Sequence, residues 1–183
     1  MGSILEALSP EQQIACSTQN NILLTACPGS GKTRTLTHRL AYQVLRDPAS
    51  KKIKIAITYT NRAAEEITNR LEGMNIDQSS IWAGTIHQFC MHFIIRPYAM
   101  YSKRLCKGYR IIDDYSKKAY GREIAERLGM HLNYYDDPFQ YENVRTEYKR
   151  VLKEKKEIDF DAILLISEEL LASCAFIGSN IAS

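Results

Sequence analysis

Ala26-Cys27-Pro28-Gly29-Ser30-Gly31-Lys32-Thr33 is the stretch from which the rest of this chain is read. An apolar run, Ile22-Leu23-Leu24-Thr25, precedes it and reads as a buried strand. Leu36, Leu40 and Val44 follow at four-residue spacing and read as a helix. Strand, glycine-rich loop and helix in that order are the setting of a phosphate-binding loop. Gly29 and Gly31 let the backbone curl until its N–H groups converge on phosphate oxygens. The helix N-terminus adds the positive end of its dipole. Lys32 is placed to reach the β- and γ-phosphates, and the Thr33 hydroxyl to ligate Mg²⁺. Ala26 stands where such loops usually begin with glycine, so the strict pattern is missed by one residue. A glycine turn before an ordinary helix is the alternative, and Gly-Lys-Thr in the right context argues against it.

Bulk properties bound the answer without deciding it. A chain of 183 residues buries a real core and holds one domain or one and a half. It has no apolar run long enough to span a bilayer, so no membrane partner is expected. The start, Met1-Gly2-Ser3-Ile4, has neither the basic nor the apolar region of a secretion signal. Five cysteines without a CxxC pair fit a reducing compartment, the cytoplasm, or the nucleus of a eukaryote. The net charge of +3 is mild, but its distribution is uneven. Between 96 and 122 stand Arg96, Lys103, Arg104, Lys107, Arg110, Lys117, Lys118 and Arg122 against Asp113 and Asp114. Tyr98, Tyr101, Tyr109, Tyr115 and Tyr120 are interleaved. Cations beside stacking rings suit a nucleic-acid strand, but taken alone the stretch reads better as a solvated surface over packed tyrosine stems.

Ser9-Pro10-Glu11-Gln12 has the form of a helix start, with serine as cap and proline at the first position. The helix after the loop stops at Asp47-Pro48. Ile53–Tyr59 is expected as a second strand, and Asn61 as the cap of a helix over Arg62–Leu71 closed by Gly73. Ile81–Ile86 reads as a third strand, followed by a helical pattern from His87 to Ile95. Alternating strands and helices imply a parallel sheet covered on both faces. Past Pro97 the chain reads as mostly helical, apart from an extended Tyr109–Ile112 and a break at Asp136-Asp137-Pro138. Asp159–Leu171 is a further amphipathic helix, and Cys174–Ser183 a short tail. Lys149–Lys156, charged nearly throughout, reads as a solvated helix face. The expected organisation is therefore 1–97, 98–158 and 159–183.

Three further segments gain meaning from their order. Leu8-Ser9-Pro10-Glu11-Gln12-Gln13 precedes the first expected strand, Ala56–Ala64 (A-I-T-Y-T-N-R-A-A) runs out of the second, and Gly84-Thr85-Ile86-His87-Gln88-Phe89 out of the third. With the phosphate loop, this set resembles the N-terminal part of the UvrD/Rep/PcrA-like superfamily 1A DNA helicases: Q motif, Walker A, motif Ia (T-x-T-N-K/R-A-A) and motif Ib (G-T-x-H). The resemblance covers almost the whole chain. It implies an α/β P-loop NTPase of RecA-like architecture, with 1–97 as the N-terminal part of motor domain 1A. It further implies a mainly helical 1B-like insertion at 98–158 and a segment at 159–183 that returns towards the motor domain.

The resemblance also implies residue roles. ATP and Mg would be held by Gln12, Ala26, Cys27, Pro28, Gly29, Ser30, Gly31, Lys32, Thr33 and Arg34, with Lys32 and Thr33 serving catalysis and Thr33 the metal. Gln12 would read the adenine edge, or close the helix cap, or both. Thr60, Asn61, Arg62, Thr85 and His87 would touch single-stranded DNA, or its junction with duplex, at the carboxyl ends of strands. His87, Cys90 and His92 do not make a closed zinc site, and a packed helix explains them better.

One part of such an ATPase is not matched. The family's acidic pair, D-E-x-Q-D after an apolar strand, has no counterpart, and Ile111-Ile112-Asp113-Asp114 is the nearest imitation. The expectation is therefore the first portion of a longer helicase, moving 3′ to 5′ by resemblance: a fragment, a truncated product or one piece of a split protein. Its partners would be DNA and the remaining helicase portion or a partner subunit. Two other readings stay open: a non-catalytic ATP- and DNA-binding module, and a small P-loop kinase in which 98–158 is a lid.

Overall fold

The structure, a computed structural model, describes residues 2–182, with side chains from Ile4 onward. The chain is α/β, mostly helical, with two small parallel sheets of two strands each among the described residues. It packs as two units, one ending at Ile86 and one beginning at His87.

In the first unit, α1 (Gly2–Leu5) and α2 (Pro10–Ser17) precede the loop, and α3 (Lys32–Arg46) follows it. Strand β1 (Lys54–Thr58), helix α4 (Asn61–Glu72) and strand β2 (Ile81–Thr85) complete it. The two strands pair in parallel, from Lys54 opposite Ile81 to Thr58 opposite Thr85, so their carboxyl ends lie side by side. Leu40, Ala41 and Val44 of α3 share one core with Ala56 of β1, Ile67 and Leu71 of α4, and Ile76. The expected four-residue spacing thus supplies α3 with its buried face, although Leu36 itself is exposed. The α3 helix stops at Arg46, one residue before Asp47-Pro48, because the residue before proline is pushed out of the helical region.

Three local expectations are corrected. Ile22–Thr25 is not a strand. No ladder partner lies beside it among the described residues, and Leu23 is 89% exposed. An apolar run becomes a strand only when a neighbour takes up its N–H and C=O groups. Thr60, not Asn61, caps α4: its hydroxyl accepts from the Ala63 N–H at 3.2 Å, and Asn61 is the first helical residue. Cys174–Ser183 is not a plain tail, since α10 (Ala175–Ala182) forms there and buries Ile177.

The second unit opens on α5 (Ile86–Phe89), which begins at the last residue of the first, and continues through a π-helical stretch, Cys90–Ile95, into α6 (Arg96–Tyr98). Beyond it come β3 (Arg110–Ile111), α7 (Asp114–Arg127), α8 (Glu142–Lys155), β4 (Glu157–Ile158) and α9 (Phe160–Ser173). Strands β3 and β4 pair in parallel across 47 residues of sequence separation. Cys90, Ile94 and Ile95 pack in one core with Leu105, Ile158, Ile163, Ile166, Leu170 and Ile177. A second core gathers Ile112, Ile124, Val144, Tyr148 and Leu152. At the α7–Phe139 crossing only glycine fits: a Cβ on Gly121 would meet the Phe139 ring at 2.9 Å.

A polar seam runs beside these cores. The Tyr148 hydroxyl donates to Asp159 at 3.0 Å, and Asp159 also caps α9 by accepting from the Ala162 N–H. Lys117 pairs with Asp161 at 2.5 Å and reaches Asp159 at 3.6 Å. Burial, and then the Asp159 carboxylate beside it, push the Tyr148 hydroxyl well above its usual pKa.

Candidate nucleotide site

The loop is built from two local rules. Ser9 caps α2: its hydroxyl accepts from the Gln12 N–H at 3.4 Å, while the Gln12 Oε1 accepts from the Ser9 N–H at 3.1 Å, a reciprocal capping box. Gly29 and Gly31 adopt φ of +80° and +86°, the left-handed region that glycine enters without strain. Gly31 then stands at the cap position of α3 with no side chain to satisfy the helix's first N–H groups. Those donors and the positive end of a 15-residue helix face the loop.

Side chains pin the loop from both sides. The Gln12 Nε2 donates to the Ser30 carbonyl at 3.1 Å, tying α2 to the loop. Lys32, the first residue of α3, turns its Nζ back onto the Ala26 and Cys27 carbonyls, each at 2.8 Å. Arg34 donates to the Ala7 carbonyl at 2.8 Å, binding α3 to the segment before α2. Beneath them the buried Cys16 thiol donates to the Thr35 carbonyl at 3.3 Å, and burial raises its pKa. Ala26, Cys27, Pro28, Gly29 and Ser30 are exposed, and Gly31 and Thr33 half-buried. All ten residues expected for the nucleotide, from Gln12 to Arg34, therefore lie in the first unit. The link from Gln12 to Ser30 was not foreseen, because nothing in the spacing of two segments 18 residues apart shows their approach.

The strand-end residues divide between the units. Thr60, Asn61 and Arg62 are exposed where the chain leaves β1, and Thr85 is buried at the end of β2. The Thr58 hydroxyl lies 3.0 Å from the Thr60 carbonyl and 3.3 Å from that of Gly84, between the two strand ends. His87 falls in the second unit, where its ring packs against Phe160 with centroids 5.3 Å apart and planes tilted by 53°. No group of three or more His, Cys, Asp or Glu side chains suited to a metal occurs among the described residues. Asp113, the nearest imitation of an acidic pair, is spent on local structure: it caps α7, accepting from the Ser116 N–H at 2.8 Å, and that bond lowers its pKa.

A strand-end sheet and a pinned glycine loop at a helix N-terminus define the class of site. Comparison with known proteins then places the chain. Residues 8–138 match the UvrD/REP helicase N-terminal domain, and the chain belongs to that family. It is 39% identical over 98 residues to an ATP-dependent DNA helicase PcrA of Staphylococcus aureus, covering 52% of this chain and 13% of that protein. The PcrA of Bacillus subtilis is 40% identical over 95 residues, 51% of this chain and 13% of that protein. The PcrA of Leuconostoc citreum is 27% identical over 187 residues, 86% of this chain and 25% of that protein. The chain thus spans at most a quarter of the length of these relatives.

Proposed function

We propose that this chain is the N-terminal portion of an ATP-dependent DNA helicase of the UvrD/Rep type, a P-loop NTPase of RecA-like architecture that moves 3′ to 5′. Residues 1–97 serve as the ATP-binding part of its motor domain, 98–158 as the helical insertion and 159–183 as the returning segment. One observation carries the reading: Lys32 stands at the N-terminus of α3, hydrogen-bonded to the carbonyls of a loop whose two glycines are left-handed. That cradle fits the phosphates of ATP with Mg. Its N–H donors and Lys32 would hold the phosphate oxygens, the Thr33 hydroxyl would serve the metal, and Gln12 would read the adenine edge. When bound, MgATP would supply the γ-phosphoryl group whose transfer to water, with ADP leaving, drives movement.

Single-stranded DNA, or its junction with duplex, is the proposed partner of Thr60, Asn61, Arg62, Thr85 and His87. The remaining helicase portion or a partner subunit would supply the acidic pair and the second motor domain, in the cytoplasm or nucleus. No described helix is long and apolar enough to cross a membrane. The missing acidic pair favours a second reading for this chain alone, an ATP- and DNA-binding module without turnover.

Calorimetric titration of MgATP into the wild type and Lys32→Ala tests the proposal. Removing the loop's cation lowers affinity at least tenfold, about 1.4 kcal/mol. Equal affinities would overturn the assignment of the loop.

A further inference from the structure

Helix α2 carries Gln12 but buries little of itself. It is eight residues long, and Cys16 alone among them is buried. A helix this short is marginal in water, and one buried side chain adds little apolar area to hold it. Its place must come from polar contacts, and α3 supplies them along its length. Arg34 donates to the Ala7 carbonyl just before α2, and the Thr35 carbonyl accepts from the Cys16 thiol. One turn beyond Thr35, the two Nη groups of Arg39 donate to the Ala15 carbonyl and, at 3.4 Å, to the Asn20 carbonyl.

Arg39 answers two needs at once. Ala15 lies in the last turn of α2, where carbonyls lack donors within the helix. The same end carries the negative pole of the helix dipole, which favours a cation. A guanidinium presents its N–H groups as a flat fork and can span two carbonyls, whereas an ammonium is a point charge. Asn20, the second acceptor, lies past the end of α2, where the chain sets out for the nucleotide loop. Arg39 follows Lys32 by seven residues, so both stand on one face of α3, about 10 Å apart along its axis. Lys32 holds the Ala26 carbonyl and Arg39 the Asn20 carbonyl. The run 20–26, without a ladder partner among the described residues, is thus tied at both ends to cations of one helix.

We infer that Arg39 is a positioning residue for base selection: by clasping the end of α2 and the chain beyond it, its guanidinium sets where the Gln12 amide stands at the loop. The inference rests on the reading of Gln12 as the group that meets adenine. The Gln12 Nε2 bonds the Ser30 carbonyl at 3.1 Å, so a slide of α2 by about 1 Å breaks that bond and frees the amide to turn. The phosphate cradle does not depend on Arg39 in this way. Lys32 and the two left-handed glycines shape residues 26–33 locally.

Calorimetry on the full chain with MgATP, MgGTP and magnesium tripolyphosphate separates these roles. Arg39→Ala lowers ATP affinity about fivefold, the worth of one net hydrogen bond, and leaves GTP and tripolyphosphate binding as they are. The ATP-to-GTP ratio falls towards that of Gln12→Ala. Arg39→Lys, which keeps the charge and can make one of the two carbonyl contacts, retains part of the ratio. In a Gln12→Ala background, Arg39→Ala changes the ratio no further. A merely structural loss weakens all three ligands by one factor and leaves the ratio at its wild-type value, which overturns the inference. If circular dichroism shows Arg39→Ala unfolded, Arg39→Lys decides by the same ratio: a value below wild type supports the inference, and the wild-type value overturns it. A wild type that prefers ATP, with both Arg39 variants equally selective, overturns this inference alone. A wild type that binds ATP and GTP alike overturns the adenine reading of Gln12, and this inference with it.

Discussion

The side-chain amide of Gln12 is shared between its own helix and the nucleotide loop: its oxygen accepts from the Ser9 N–H at 3.1 Å and its nitrogen donates to the Ser30 carbonyl at 3.1 Å. One residue therefore starts α2 and holds the loop's backbone in place. Each bond leaves one lone pair or one proton of the amide for a base. Gln12→Ala is expected to weaken MgATP binding about fivefold, the worth of one net hydrogen bond near 1 kcal/mol. The wild type should prefer ATP to GTP, and the variant should lose that preference. Calorimetry with both nucleotides reads the two effects. A wild type indifferent to the base would leave Gln12 as a holder of the loop alone.

The two loop glycines are not equivalent. At Gly31 a Cβ would lie 3.0 Å from the Gln12 Nε2, whereas at Gly29 it meets nothing within 4 Å. Both sit at positive φ, so alanine costs each about 1–2 kcal/mol of backbone strain. Gly31→Ala should destabilise the chain more than Gly29→Ala in urea denaturation, because it also displaces Gln12. Equal losses would mean that the Gln12 contact contributes nothing.

Cys27 lies exposed in the loop, whereas Cys16 and Cys90 are buried. Alkylation followed by mass spectrometry should label Cys27 and the exposed Cys106 first. MgATP should then slow labelling of Cys27 and leave Cys106 unchanged. Unaltered labelling of Cys27 at saturating nucleotide would place the ligand elsewhere.

Tyr148 ties α8 to the cap of α9. Tyr148→Phe leaves a carboxylate oxygen of the buried Asp159 without this donor, at a cost of about 1–3 kcal/mol at neutral pH. Its raised native pKa also sets a sign. The unfolded phenol ionises near pH 10 while the native one stays protonated, so this contribution is complete below about pH 10 and falls as pH rises past it. Denaturation midpoints from pH 7 to 11 should show a steeper alkaline loss for wild type than for Tyr148→Phe.

Asn61 is an uncharged amide, and neither it nor His87 is a lysine or an arginine. Asn61→Ala with His87→Ala should weaken single-stranded oligonucleotide binding while leaving its salt slope unchanged, since the slope counts neutralised phosphates. Full affinity in the double variant would remove the strand ends from the DNA surface.

Much of the site was legible because its chemistry is local. Ser9, Pro10 and Gln12 announce a capped helix within four residues, and the structure forms that box. Gly29 and Gly31 stand where only a left-handed backbone turns into α3, Asp47-Pro48 ends that helix, and β2 forms where its pattern implied, ending at Thr85 one residue before the expected Ile86. Each outcome depends on residues within a turn or two of one another. What the sequence left open needed partners distant in the chain. The apolar run Ile22–Leu24 satisfied every rule for a strand, yet a ladder requires a second strand beside it, and none is there among the described residues. The brief β3–β4 pairing brings Arg110 to Glu157 and, with it, Lys103–Lys107 to Lys149–Lys156. The hold of Gln12 on Ser30 arises only when α2 packs beside α3. Backbone preference and capping act over a few residues, so the sequence alone determined the loop, its helix and their termini. Hydrogen bonds and charge clusters between remote segments exist only once the chain has closed on itself, and those the tertiary structure decided.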